Sequence, residues 1–154
     1  MTTMFERIRH LLGAIFASGL IMILTPIAIA SAPFLESKLF PVLRNVQLAQ
    51  VHREGDTAIF EFEGFRGREQ CVFVSQSAIA GAAGEPAEMV LLDYVHQGGG
   101  SGASRPVGWQ SLGEWRVRPV NDNDMVTFVV RHRCHSMWDV TATIGPWPVK
   151  EFKK

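Results

Sequence analysis

Net charge is the first thing this sequence lacks: 15 Lys and Arg stand against 15 Asp and Glu. A general nucleic-acid binder needs a cationic surplus to displace the counterions of phosphate, so no nucleic acid is expected as a partner. Lysine itself is scarce, with four residues against eleven arginines. Recognisable catalytic signatures are missing as well. The chain has no phosphate-cradling glycine loop ending in Lys-Ser or Lys-Thr, no dinucleotide fingerprint and no zinc-ligand spacing. Asp93, His96, Ser101 and Ser104 supply the residue types of a hydrolase triad. No nucleophile elbow accompanies them, and most lie on or beside a glycine tract, so neither an enzyme nor a cofactor is expected. At 154 residues the chain has room for one domain and a separate anchor.

The overall charge content, 19%, falls below the usual quarter, and the deficit sits mostly in the first 33 positions. Leu11 to Ala32 is a run of 22 uncharged residues rich in Leu, Ile and Ala, preceded by Arg7, Arg9 and His10. At 1.5 Å per residue a helix of that length covers the roughly 30 Å of a hydrocarbon core. Two readings compete. As an uncleaved anchor, residues 1–33 span the membrane once. As a signal peptide, Pro26 ends the apolar helix and the small residues Ala28 to Ala32 offer a cleavage site, so that the domain is secreted to the periplasm. The arginines ahead of the span favour a cytoplasmic amino terminus, weakly, because Lys38 and Arg44 follow it. Both readings export everything after Pro33, and the first gives a single-pass inner-membrane protein with its carboxy-terminal domain in the periplasm. Gly13 with Ala17, and Ala14 with Ser18, have the small-residue spacing that lets helices approach, which leaves an oligomer open.

Residues 34–45 read as a linker in which Pro33 and Pro41 discourage helix. From residue 46 to 154 the apolar pattern changes to period two. Thr57 to Glu63 sets Ala58, Phe60 and Phe62 on one face and Glu61 and Glu63 on the other. Met125 to His135 aligns Val126, Phe128, Val130, His132 and Cys134, and Met137 to Ile144 aligns Trp138, Val140, Ala142 and Ile144. With Val46–Val51, Gln70–Ser75, Met89–Val95 and Trp115–Arg118, about seven short strands separated by turn signals predict an all-β, immunoglobulin-like sandwich. Ser77 to Glu88 and Gln97 to Val107, both glycine-rich, read as long connections.

Two cysteines in an exported domain, each alternating with apolar residues, predict one disulfide, Cys71 to Cys134, between the two sheets. Closing that loop would stabilise the fold by roughly 4 kcal/mol in the chain-entropy account. Trp115 or Trp138 is expected to pack against it. A competing reading uses His96, Cys134, His135 and Met137 as the ligands of an exported copper domain. Adjacent Cys134 and His135 would point to opposite faces of a strand, and the metal would compete with the disulfide for Cys134.

Arginine supplies the remaining candidate surface. Arg116 and Arg118 share one side of their strand, as do Arg131 and Arg133, and if the strands were neighbours four guanidiniums would form a patch for phosphate or carboxylate groups. The alternative is a solvated face whose arginines pair across strands with acidic residues. Arg105, Trp109, Trp115 and Trp147 complete the candidate contacts for a protein partner, because Trp and Arg dominate interface hot spots; Trp115 reads equally as core.

Gly64 through Arg68 to Cys71, Ser104-Arg105-Pro106-Val107-Gly108 with Gly113-Glu114-Trp115, and His132 to Trp138 together resemble small single-span membrane proteins of proteobacteria and their tailed phages. The resemblance covers most of the exported part. It implies a membrane anchor and a bacterial or phage setting, and carries over no catalytic or binding residue. The expectation is a membrane-anchored, non-catalytic binding or assembly module, held in lipid by its helix and facing a protein partner yet to be identified.

Overall fold

In the computed structural model, residues 4–95, 106–150 and 152–153 are described. The chain opens with one helix, α1 (Met4–Leu39), that runs straight through Pro26 and Pro33. Pro26 therefore does not end the helix, and the linker expected over 34–45 is helical to Leu39 and strand from Leu43. Each proline removes only its own N–H from the ladder. The carbonyls left without that donor are those of Met22 and Ile29, and the neighbouring hydroxyls bond elsewhere, Thr25 to the Ile21 carbonyl at 2.7 Å and Ser31 to that of Ile27 at 2.8 Å. In a medium without water the other backbone groups have no better partners than each other, so a proline bends such a helix more readily than it stops it. Ile8–Leu39 is long and apolar enough to cross a membrane, and its most apolar window is wholly unburied.

The strands follow as β1 (Leu43–Glu54), β2 (Thr57–Arg66), β3 (Val72–Ala82), β4 (Glu88–Val95), β5 (Gly108–Arg118), β6 (Asp124–Arg133), β7 (Asp139–Pro148) and the two-residue β8 (Phe152–Lys153). Pairing is antiparallel throughout, in the order β7-β6-β3-β4-β5-β2-β1-β8. Strand β4 is shared. Its first half, Glu88 to Val90, pairs with Ala78–Ala80 of β3, and its second half, Leu91 to Val95, pairs with Glu114–Arg118 of β5. The sheet thus folds over on β4 into two layers, β1-β2-β5-β4 against β7-β6-β3-β4. These are the strand neighbours of an immunoglobulin-like sandwich.

The layers meet on aromatic side chains. Phe128 of β6 lies 5.2 Å from Phe60 and 5.0 Å from Phe62 of β2, and 5.1 Å from Trp115 of β5, each edge to face. Since β6 pairs with neither β2 nor β5, these contacts cross between layers. Phe60, Phe62 and Phe128 are completely buried. The alternation read from Thr57–Glu63 and Met125–His135 is the pattern that delivers them there.

Two segments differ from expectation for a steric reason. Ser77 to Ala82, expected as loop, is the second half of β3. Its small residues let the chain double back closely: a Cβ on Gly81 would sit 2.9 Å from the Ala87 Cα. Strand β5 also begins earlier than Trp115, at Gly108, and bends at Gly113, whose φ of +93° and close approach to the Tyr94 ring exclude a side chain. The other long connection, Gln97 to Val107, lies mostly outside the described residues.

Cys71 and Cys134 form the disulfide, with Cα atoms 4.1 Å apart. Its position corrects the expectation of a bridge between sheets. Val72 of β3 faces Arg133 of β6, so the cysteines are the next pair beyond the end of that ladder, on neighbouring strands of one sheet. They form a second small core with Val42 and Val140, against which Trp138 packs. Trp115 belongs to the main core instead. Replacing both cysteines by alanine is expected to lower the unfolding free energy by about 2–4 kcal/mol, read as a lower urea midpoint, with a larger m-value because the unlinked unfolded chain exposes more surface. An unchanged midpoint would mean that the β3–β6 ladder holds this end unaided.

Candidate functional site

The disulfide ties together the connection from β2 to β3 (residues 67–71) and the connection from β6 to β7 (residues 134–138). Each connection sends one side chain to the last turns of α1. Arg68 Nη1 donates to Glu36 Oε1 at 2.5 Å, and Trp138 Nε1 donates to Glu36 Oε2 at 2.6 Å. Both ionic partners are more than four-fifths buried. The His135 imidazole stacks on Trp138 with ring centroids 4.3 Å apart and planes within 10°. Val42, 1% exposed, accepts a backbone hydrogen bond from Gly67 at 2.8 Å. Helix and sandwich are therefore joined by charge-assisted and apolar contacts together. Beside the joint, Pro33, Phe34, Ser37 and Lys38 of α1 face Thr141–Thr143 of β7 across an open groove of about 500 Å³.

The four-arginine patch does not form. Strand β5 lies in one layer and β6 in the other, and each arginine has an acidic partner near home. Arg116 reaches Glu114 at 3.3 Å and Arg118 reaches Asp93 at 3.2 Å. Arg131 and Arg133 both bind Asp139, at 3.0 and 2.8 Å. The Arg133 hydrogen bond holds the Asp139 carboxyl below the ordinary carboxylate range and, reciprocally, Asp139 pushes the Arg133 guanidinium up. Pairs between half-exposed guanidiniums and carboxylates contribute little to stability, and they occupy the four arginines in two separate layers, with Arg131 and Arg133 sharing one carboxylate.

The tryptophans separate by burial. Trp109 is half exposed on β5, in register with Phe65 of β2. Trp147 is partly buried with its ring 6.4 Å from Phe62, so it belongs with the core rather than with a contact surface. Trp115 is 4% exposed and donates to the Leu112 carbonyl at 3.1 Å. Arg105 and His96 lie outside the described residues. The copper set loses its thiolate, because the Cys134 sulfur is bonded to Cys71. Among the described residues no group of three or more His, Cys, Asp or Glu side chains is arranged to hold a metal.

A feature with no short motif behind it lies between the layers, at the end where α1 joins. There the sheets part around a cavity of about 140 Å³ lined by Leu43, Phe73, Leu112, Trp115 and Val130, with Arg66, Gln76, Tyr94, Gln110 and His132 supplying the polar groups. Arg66 and His132 are 4% and 6% exposed. Arg66 is held by backbone carbonyls, those of Cys71 at 2.6 Å and Arg68 at 3.3 Å among them. His132 Nδ1 is buried without a hydrogen-bond partner among the described residues. Burial, reinforced by the nearby Arg66 charge, pushes the His132 pKa down to about 4 from an ordinary 6.5.

No protein-family model, curated protein or solved structure matches the chain.

The low His132 pKa has a stability consequence. The folded protein keeps the ring neutral, while the unfolded chain protonates near pH 6.5. The stability this ring provides is therefore complete above pH 6.5 and falls as the pH drops toward 4. The loss sums to roughly 3 kcal/mol across that window. Urea unfolding at pH 7.5 and pH 5 should show the loss in the wild type and a much flatter response in His132→Phe. Equal responses would mean that the ring protonates in place.

Proposed function

We propose that this protein is a single-span inner-membrane protein that presents its sandwich on the periplasmic side as a non-catalytic binding or assembly module. The observation that carries this reading is the continuity of α1. An apolar, unburied helix long enough to cross a bilayer runs without interruption into a buried junction with the folded domain. A secreted domain freed of its leader would need no such junction, whereas an anchored module gains a defined height and orientation above the membrane from it. The disulfide supports the periplasmic side, since such bonds persist in oxidising compartments. The resemblance to single-span proteins of proteobacteria and their phages agrees with the same setting. Trp109, half exposed at the junction end of β5, is the best placed aromatic side chain for a protein partner.

Expression of the full chain in a Gram-negative host tests this directly. The protein should stay with the membrane through carbonate washing. Its sandwich should be cut by protease added to spheroplasts but not to intact cells, and its cysteines should resist alkylation until reduced. Protection in spheroplasts, or free thiols in the untreated protein, would overturn the reading. Recovery in the soluble periplasmic fraction would favour the cleaved form.

A further inference from the structure

We propose that the cavity between the layers is a binding site for a small carboxylate with an apolar body. The argument begins with size and lining. A volume of about 140 Å³ is close to that of the apolar cavities that accept a benzene ring. Half of its lining residues are hydrocarbon or aromatic, which favours an apolar body over water alone. The other half is polar. The Gln76 amide and the neutral His132 ring can donate into the cavity, and Arg66 adds a positive charge while its own N–H groups are held by the Arg68, Glu69 and Cys71 carbonyls. The Gln110 amide already donates to the Pro106 carbonyl at 3.2 Å, and no acidic side chain among the described residues lines the cavity. An anionic head would meet the Gln76 and His132 donors and the positive charge of a buried guanidinium, where the low dielectric strengthens the attraction.

His132 is the second observation. It reaches the cavity from the same face of β6 as Val130, 6% exposed, and leaves Nδ1 with no hydrogen-bond partner among the described residues. An unsatisfied buried nitrogen costs about 1–3 kcal/mol unless something else bonds to it. The neutral ring can place its proton on Nδ1 and donate to a carboxylate oxygen. The side chains at the mouth, Leu43, Phe73, Gln76, Tyr94 and Gln110, are only partly buried, so a ligand has a way in. The site does not depend on which compartment holds the domain.

The test uses the full chain in nanodiscs, with benzoate and hexanoate as anionic probes and benzyl alcohol and hexanol as neutral probes of matching size. The acids should shift the His132 ring resonances saturably at millimolar concentration or below and raise the melting temperature. The alcohols should bind at least about tenfold more weakly, the equivalent of one lost charge-assisted contact. His132→Phe and Gln76→Leu, both conservative in volume, should each weaken benzoate binding while keeping a cooperative melt. Should His132→Phe fail to fold, Gln76→Leu and the His132 resonances of the wild type still decide the matter. Absence of a saturable shift with either acid overturns the proposal, as does equal affinity for acids and alcohols. An ordered water on Nδ1 that no probe displaces overturns it too.

Discussion

The sulfur–sulfur bond between Cys71 and Cys134 is the constraint on which the joined architecture depends. It does not staple the two layers; the aromatic contacts of Phe128 with Phe60, Phe62 and Trp115 already do that. It fastens two connections at one end of one sheet, and from those two connections Arg68 and Trp138 converge on a single carboxylate of α1. Free to move independently, the two loops would each have to lose conformational entropy to grip Glu36. With the loops joined, most of that ordering is already done before the helix arrives. The same tie sets Val42 and Val140 against the disulfide, so the junction has an apolar floor beneath its charges.

The junction end is also where the interior is least like a simple core. Arg66 and His132 are both nearly fully buried there; Arg66 is held by the Cys71 carbonyl at 2.6 Å, and His132 Nδ1 has no hydrogen-bond partner among the described residues. Buried cations and orphaned ring nitrogens are costly, and a fold selected for stability alone would replace them with apolar side chains of similar volume. At the far end of the sandwich the backbone N–H of Asn121 donates to the Asp124 carboxylate at 2.7 Å, while His52 Nδ1 and Trp147 Nε1 are also buried with no hydrogen-bond partner among the described residues. Of the buried polar side chains, Arg66 and His132 are the two that border the cavity, beside α1.

Much of this was legible in the residues, and the misses have physical causes. β2 and β6 could be read directly because each buries one face against the opposite layer while polar residues such as Glu61, Glu63 and Arg131 sit on the other, which prints a period of two. The second half of β3 could not, since Ala78, Ala80, Gly81 and Ala82 are small for close packing and look the same as a flexible loop. Gly113 hid the first half of β5 in a similar way. The cysteine pairing followed from there being two thiols in a domain that reads as exported, but period-two reasoning cannot tell a residue at the edge of a core from one just past the end of a ladder. The helix was visible by its lack of charge, although its prolines suggested a stop that a continuous hydrogen-bond ladder overrides. Glu36 was invisible, because its partners lie 32 and 102 residues away and no local pattern announces them. The arginine patch failed for the same reason: it required β5 and β6 to be neighbours, and strand order is a long-range property. His132 could be placed on the face of Val126, Phe128 and Val130, but it read as a polar residue near a strand end, and only the packed structure leaves its Nδ1 without a partner among the described residues.

The central claim is that anchor and sandwich behave as one body because Glu36 is gripped from both sides of the disulfide. The most direct measurement is the distance distribution between two spin labels carried on non-canonical amino acids, one at Ala32 of α1 and one at Thr127 of β6, in nanodiscs by pulsed electron resonance. The account predicts a single narrow distribution for the wild type that broadens markedly in Glu36→Ala, with the disulfide intact in both. A broad distribution in the wild type, or one indifferent to Glu36→Ala, would contradict it.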